Sequence, residues 1–262
     1  MTVGDTLVLC YHGVSETWPA GELAVTPTDL RRQLELLLAR GYRGVTFSEA
    51  VQEGRGRTVA VTFDDAFRSV ADIARPILDE LGIPATIFVP TDYAGRAEPM
   101  TWPEIEHWTG TAHEHELMPL TWDQLGSLAE SGWEIGSHGK SHPHLTRLSD
   151  GELHAELGDS RRTCEERLQR ECRSLAYPYG DHDARVVEAA RAAGYRAACT
   201  LPSRIGAQLP MRWPRIGIYR GDGERSFRLK VSPSIRRLRR TPLWNPLTMP
   251  ARRWRGRDRA AS

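Results

Sequence analysis

Short, nearly unbroken apolar runs recur along the chain, separated by longer stretches with helical spacing. TLVLCYH (6–12), TVAVTF (58–63), PATIFV (84–89), WEIGS (133–137), SLAY (174–177) and YRAACT (195–200) read as short buried strands. Between them, TPTDLRRQLELLLARG (26–41) places Leu30, Leu34, Leu37 and Leu38 on one helical stripe, with Thr28 as a candidate cap and Gly41 as the stop. Residues 64–82 predict a helix bent at Pro76 and ended by Gly82. A further helix over 121–132 carries Thr121 as cap. Another, over 149–172, opens on the capping-box pattern Ser149-Asp150-Gly151-Glu152, and a third covers 183–193. Residues 90–120 have no regular pattern, and a loop of that length in a compact domain is functional or mobile. Strands alternate with helices and no repeat appears, so the fold class is α/β with a parallel sheet, doubly wound or closed into a barrel.

This pattern puts several polar residues in one topological place. His12, Asp64, Asp65, His138, Tyr179 and Arg215 each lie at or just after the C-terminal end of an expected strand. In α/β barrels that edge carries the active site.

Composition changes the picture in two ways. The net charge of +1 hides an asymmetry: residues 227–262 hold eleven Lys or Arg and one acid, which leaves residues 1–226 with 24 bases against 33 acids. The expected division is therefore an acidic body, 1–226, and a basic Arg/Pro/Trp-rich tail, 227–262. The N-terminal MTVGDTLVLCYHGV reads as a strand entering the fold and not as a signal peptide. No stretch is apolar enough for a membrane span. The four cysteines have no C-x-x-C spacing and read as reduced core thiols of a cytoplasmic protein.

Three motifs bear chemistry. TFDD (62–65) puts two carboxylates where a strand turns, so that one can bind a metal while the other acts as a base; a helix N-terminus also favours such acids. SHGKSHPHL (137–145) spaces His138 and His142 four apart, two nitrogens that with one carboxylate would make an open three-ligand metal site, or alternatively two solvated imidazoles. His144 follows Pro143 and reads as a supporting residue. YPYG (177–180) is a turn that could expose the Tyr179 N–H to an oxyanion, or an ordinary turn.

In this order, TFDD, SHxxSHPHL and LAYPYG resemble the polysaccharide deacetylases, the NodB-homology family or carbohydrate esterase family 4, over about residues 6–220. The resemblance implies a distorted (β/α) barrel of about seven strands. It also implies one divalent metal ion, zinc before cobalt, nickel or iron, and removal of N-acetyl groups from an N-acetylated sugar. By position it makes Asp64 the base, Asp65, His138 and His142 the metal ligands, and Tyr179 N–H the oxyanion donor. Two family features are missing: Ala176 stands where many members carry the arginine that orients the base, and no histidine follows His182 to serve as the acid. The chain instead resembles permuted members with the histidine strand first, where LCYHG (9–13) makes His12 the acid. Arg215 in PRIG (214–217) is the substitute expected for the missing arginine.

Trp102 and Trp213 are the aromatic candidates, beside Tyr179, for contact with sugar. The expected partner is an N-acetylated oligosaccharide, polysaccharide or lipid-linked glycan. The tail would touch an anionic membrane face, placing the protein in the cytoplasm at the inner face, and no specific nucleic acid is expected. Hydrolysis of a small non-sugar amide, or glycan binding without catalysis, are the alternatives on the same fold.

Overall fold

A computed structural model describes residues 4–19, 23–53, 56–202, 205–241 and 244. The first strand, β1 (Asp5–Tyr11), is followed by a small parallel pair, β2 (Gly13–Val14) and β3 (Ala24–Val25). Helix α1 (Pro27–Ala39) is capped by Thr26, whose hydroxyl accepts from the Asp29 N–H, and not by Thr28. Pro27 at the first helical position explains the shift, because a proline there needs no N–H partner. Next come β4 (Arg43–Val45), α2 (Phe47–Glu53) and β5 (Arg57–Phe63). The helix expected over 64–82 is shorter: a π turn at Val70–Ala74 leads into α3 (Arg75–Leu81). Pro76 lacks the N–H that would continue a regular helix from upstream. Gly82 ends α3 with φ of 65°.

The second half alternates β6 (Ala85–Val89), α4 (Trp122–Glu130), β7 (Glu134–Ser137), α5 (Asp150–Leu168), β8 (Ser174–Ala176), α6 (Ala184–Ala192) and β9 (Ala197–Thr200). The capping boxes expected at Thr121 and at Ser149 with Glu152 both form. After β10 (Trp213–Pro214) and β11 (Ile216–Gly217) come α7 (Glu224–Val231) and α8 (Pro233–Leu238).

All pairings in the main sheet are parallel, in the order β10-β9-β8-β7-β6-β5-β1-β11, with β4 beside the lower part of β5. Because β10 and β11 are one chain segment interrupted only at Arg215, that segment pairs with β9 on one side and with β1 on the other, and the sheet nearly closes on itself. Counting it once, seven strands make the ring, with β4 as an extra. The fold is the expected distorted (β/α) barrel.

The strands bury both faces, and the faces feed different clusters. Leu7, Leu9, Tyr11, Val59, Val61 and Phe63 pack outward on Leu30, Leu34 and Leu37 of α1. Val8, Ala60, Phe88, Ala176, Cys199 and Trp213 face inward, where Phe47 and Ala50 of α2 close the lower end. Helix α2 is pinned there by its Phe47 N–H, which donates to Thr86 Oγ1 at 2.8 Å. Space inside is tight: a Cβ on Gly136 would lie 2.5 Å from Ser174 Oγ. Trp213 fills this interior at 8 % exposure. That corrects its expected role, since a ring packed inside the barrel below Arg215 cannot meet a sugar.

The expected boundary between 226 and 227 falls inside α7, whose Phe227 and Val231 belong to the main core. Arg236 on α8 is also buried and donates to Asp5 Oδ1 at 2.5 Å, while the Tyr42 hydroxyl donates to Oδ2. The basic segment is thus part of the body as far as it is described. Most of the stretch on which the membrane expectation rests, 242–243 and 245–262, lies outside the described residues. Among the described residues no helix is long and apolar enough to cross a membrane.

Arg236→Ala is expected to cost about 1.5–3 kcal/mol, the range for a hydrogen bond to a charged group, read from urea melts at unchanged slope. Burial raises the Asp5 carboxyl, but Tyr42 and Arg236 outweigh it and hold it below its ordinary value. A depressed carboxyl stabilises the fold above its unfolded pKa, about 4, and loses that contribution as pH falls through the folded value. The gap between parent and variant should therefore narrow below about pH 4. A gap that stays constant into acid would remove the ion pair from the account.

Candidate active site

The inward face of each strand leads upward to one rim. Along β1 the inward series is Val8, Cys10, His12; along β5 it is Ala60, Thr62, Asp64; along β7 it is Glu134, Gly136, His138; and Trp213 leads to Arg215. This follows from the two-residue period of a strand, and it brings side chains from four strands to the C-terminal end of the barrel.

Arg215 sits at the break between β10 and β11, with its N–H donating to Thr200 O at 3.0 Å. Its side chain is 1 % exposed and grips Asp64 with two bonds, Nη1 to Oδ1 at 2.6 Å and Nη2 to Oδ2 at 2.7 Å. Nη1 also donates to Thr62 Oγ1 at 3.0 Å. Burial alone would raise the Asp64 carboxyl; the Arg215 guanidinium more than offsets that and holds it well below the usual carboxylate range. Such a two-pronged pair needs the planar fork of arginine.

Asp65 is in the opposite situation. It is 3 % exposed, its Oδ1 has no hydrogen-bond partner, and burial and the Asp64 charge push its carboxyl well above its ordinary range. His138 Nε2 lies 3.4 Å and His142 Nε2 3.3 Å from that same Oδ1. His138 Nδ1 donates to Ala176 O at 2.8 Å, so the proton is on Nδ1 and the Nε2 lone pair faces Asp65. His142 Nδ1 meets the Tyr179 hydroxyl at 3.1 Å. Burial lowers the pKa of both imidazoles, so both are neutral and neither forms an ion pair with Asp65. Three ligand atoms, one carboxylate oxygen and two imidazole nitrogens, therefore converge without an ion pair among them, the donor set of a divalent-metal site. Cys10, His12 and Asp64 also cluster within 4.8 Å, but Arg215 already occupies both Asp64 oxygens.

The backbone is bent where these groups are delivered. Asp65 (φ 67°), Ala66 (56°), His142 (62°) and Tyr179 (60°) are four of the five non-glycine residues with positive φ among those described. Each costs on the order of 1–3 kcal/mol, and strain of this kind gathers at functional sites. At Asp65 the turn lets two successive carboxylates face one rim.

His12 retains some exposure, but its Nδ1 is buried without a partner. Burial lowers its pKa to about 4 against the pull of Asp64. Trp102 is 6 % exposed and its ring stacks on His142, with centroids 4.4 Å apart. The expectation that it offers a face to sugar is corrected: His142 already covers that face. The 90–120 loop that carries Trp102 is a packed excursion, with Met100, Ile105 and Leu117 buried beside it. His144 stacks on Tyr179 at 4.1 Å.

Three supporting residues escape motif reasoning. Glu156 of α5 accepts from the backbone N–H groups of Lys140 at 2.6 Å and Ser141 at 2.7 Å, holding the turn that presents His142. It had a legible signal: it is an acid on the buried stripe Leu153, Leu157, Ser160, Cys164. Cys10 places its thiol 3.4 Å from Asp64 Oδ2, and Glu104 accepts from the Tyr179 hydroxyl at 2.7 Å. Neither pairing has a sequence signature.

The chain is similar to known proteins over this same framework. It is 25 % identical over 199 residues to the YxkH protein of Bacillus subtilis (strain 168), covering 74 % of this chain and 63 % of that one. It is 26 % identical over 206 residues to the poly-beta-1,6-N-acetyl-D-glucosamine N-deacetylase of Staphylococcus epidermidis, covering 67 % and 65 %. The chain thus spans just under two thirds of the length of these curated relatives. The structure of Streptococcus pyogenes deacetylase PplD in complex with acetate shares the fold, with TM-score 0.72 and 22 % identity over 88 % of this chain and 100 % of that one. The family model for polysaccharide deacetylase matches residues 52–198, a span that runs from β5 and its TFDD through the histidine cluster and the YPYG turn, and by that match the chain belongs to the polysaccharide deacetylase family.

Proposed function

We propose that this protein is a metal-dependent hydrolase that removes acetyl groups from N-acetylated sugar residues of a glycan. The observation that carries the reading is the meeting of Asp65 Oδ1, His138 Nε2 and His142 Nε2 at 3.3–3.4 Å beside a carboxylate, Asp64, that Arg215 keeps ionised. The choice of an N-acetylated glycan is supported by the family and by the named substrate of the S. epidermidis relative.

Asp65, His138 and His142 would hold a divalent cation, which when bound acidifies water and polarises an acyl carbonyl. Asp64 takes the proton of the attacking water. The two-pronged contact with Arg215 keeps that carboxylate ionised and fixed in place to accept the proton. The Tyr179 N–H, presented by a residue at φ 60°, donates to the developing oxyanion. His12 hands a proton to the departing nitrogen. Its low pKa means it enters the cycle neutral, so the proton it delivers is one released from the attacking water in the same turnover. Acetate and a free amine leave.

The test is metal content and acetate release together. Protein purified without an affinity tag should carry about one divalent ion per chain, lost in Asp65→Ala and in His142→Ala. The loaded protein should release acetate from β-linked N-acetylglucosamine oligomers. A parent that takes up no zinc or cobalt would overturn the reading in favour of glycan binding without catalysis.

A further inference from the structure

The two histidines of the candidate metal site are oriented by different means. His138 Nδ1 donates to a backbone carbonyl, that of Ala176, which no side-chain substitution removes. His142 Nδ1 faces a side chain, the Tyr179 hydroxyl, at 3.1 Å. That hydroxyl lies 2.7 Å from Glu104 Oε2 and 3.4 Å from the His142 carbonyl. A phenol has one hydrogen, and an ionised carboxylate only accepts. The shorter, charge-assisted bond to Glu104 takes the hydrogen. The oxygen is then an acceptor toward His142, so the imidazole proton stands on Nδ1 and the Nε2 lone pair turns to Asp65.

Stacking does not do this work. Trp102 on His142 and His144 on Tyr179 hold the ring planes, but a stacked ring can still rotate in its plane or change tautomer. Glu104's other oxygen is 4.0 Å from His144 Nε2, too far for a hydrogen bond, so its short contact is the one to Tyr179.

We propose that Glu104 is a positioning residue: through the Tyr179 hydroxyl it sets the tautomer and direction of His142, and so how tightly the Asp65–His138–His142 site holds a divalent cation. The proposal rests on the metal reading above. It also gives the 90–120 loop a purpose, since that loop carries Glu104 to a residue 75 positions away.

The experiment measures zinc affinity by chelator competition, with the visible absorption of the cobalt-loaded protein as a spectroscopic readout. Glu104→Ala and Tyr179→Phe should each bind about 10–100-fold more weakly, the usual loss for a partner that orients a metal ligand. Glu104→Gln should stay near the parent, because its amide oxygen accepts the same hydrogen. Tyr179→Phe with Glu104→Ala should be no weaker than Tyr179→Phe alone. Parent affinity in Glu104→Ala would overturn the proposal. So would an equal loss from Glu104→Ala in the Tyr179→Phe background, or a Gln variant as weak as the Ala variant, since either would mean a field effect of charge. If Glu104→Ala does not fold, Glu104→Gln and Tyr179→Phe carry the comparison. A parent that binds no metal overturns the underlying metal reading and with it this proposal, a result distinct from unchanged variant affinities in a parent that binds.

Discussion

Asp64→Asn should slow acetate release by about 10²–10⁴-fold while leaving zinc affinity within a few-fold of the parent. The side chain keeps its size but can no longer take a proton. The metal ligands should be little affected, because Asp64 Oδ2 is 3.9 Å from His138 Nε2 and the converging oxygen belongs to Asp65. His12→Ala should fall in the same range for the complementary reason, loss of the group that protonates the nitrogen. The two should not add. If one proton passes from water through Asp64 and His12 to the amine, removing either breaks the route, and the double variant should be only slightly worse than the worse single. The measurement is kcat/KM for acetate release from zinc-loaded protein. A loss below about tenfold in Asp64→Asn would assign the base elsewhere. Losses that multiply would mean separate roles in separate steps.

The residues in this prediction were legible because strand periodicity and motif position agree. His12, Asp64 and His138 continue the inward series of their strands by one step, so knowing where a strand ends already says which way they face. Arg215 was legible only as the stand-in for the arginine absent at position 176, since the residues before PRIG mix apolar positions with Gln208 and Arg212. What the sequence concealed is what depends on three-dimensional packing. β10 and β11 have two residues each and no periodicity to read. Trp213 looked like a sugar platform because an exposed and an interior tryptophan have the same letter, and only closure of the ring places it inside. Trp102 was misread for the same reason, its face being taken by His142. The Arg-rich start of the expected tail proved to be core, because Phe227, Val231 and Arg236 sit on the inward faces of two short helices whose polar surroundings hid them. The Glu104–Tyr179 contact joins a loop to a strand-end turn, and no local pattern announces such a pair.

Removing Arg215 should be the most costly single change to the fold. Arg215→Leu leaves the Asp64 carboxylate buried at 3 % exposure without its partner, and breaking a buried pair in this way costs about 3–5 kcal/mol at neutral pH. The pH dependence has a definite sign. In the parent, Asp64 is depressed, so it stabilises the fold above its unfolded pKa and loses that contribution as pH falls. In the variant only burial remains as the leading influence, and burial raises a carboxyl. A raised carboxyl is best tolerated at low pH, where it is protonated, and destabilises as pH rises through its folded value. The parent should therefore lose stability on acidification over a range in which Arg215→Leu gains it. The acid limb of the kcat/KM profile should move to higher pH, because the base now takes up its proton at higher pH than in the parent. Arg215→Lys should destabilise less, since it keeps the charge, yet its single ammonium cannot hold both Asp64 oxygens and Thr62 together, so its acid limb should move as well. Combining Arg215→Leu with Asp64→Asn should recover much of the lost stability while activity stays low, because the buried unpaired charge is gone but so is the base. Urea melts across pH and the matching rate profiles test both halves. An Arg215→Lys enzyme with the parent's profile would mean that the guanidinium supports the barrel wall without governing the base.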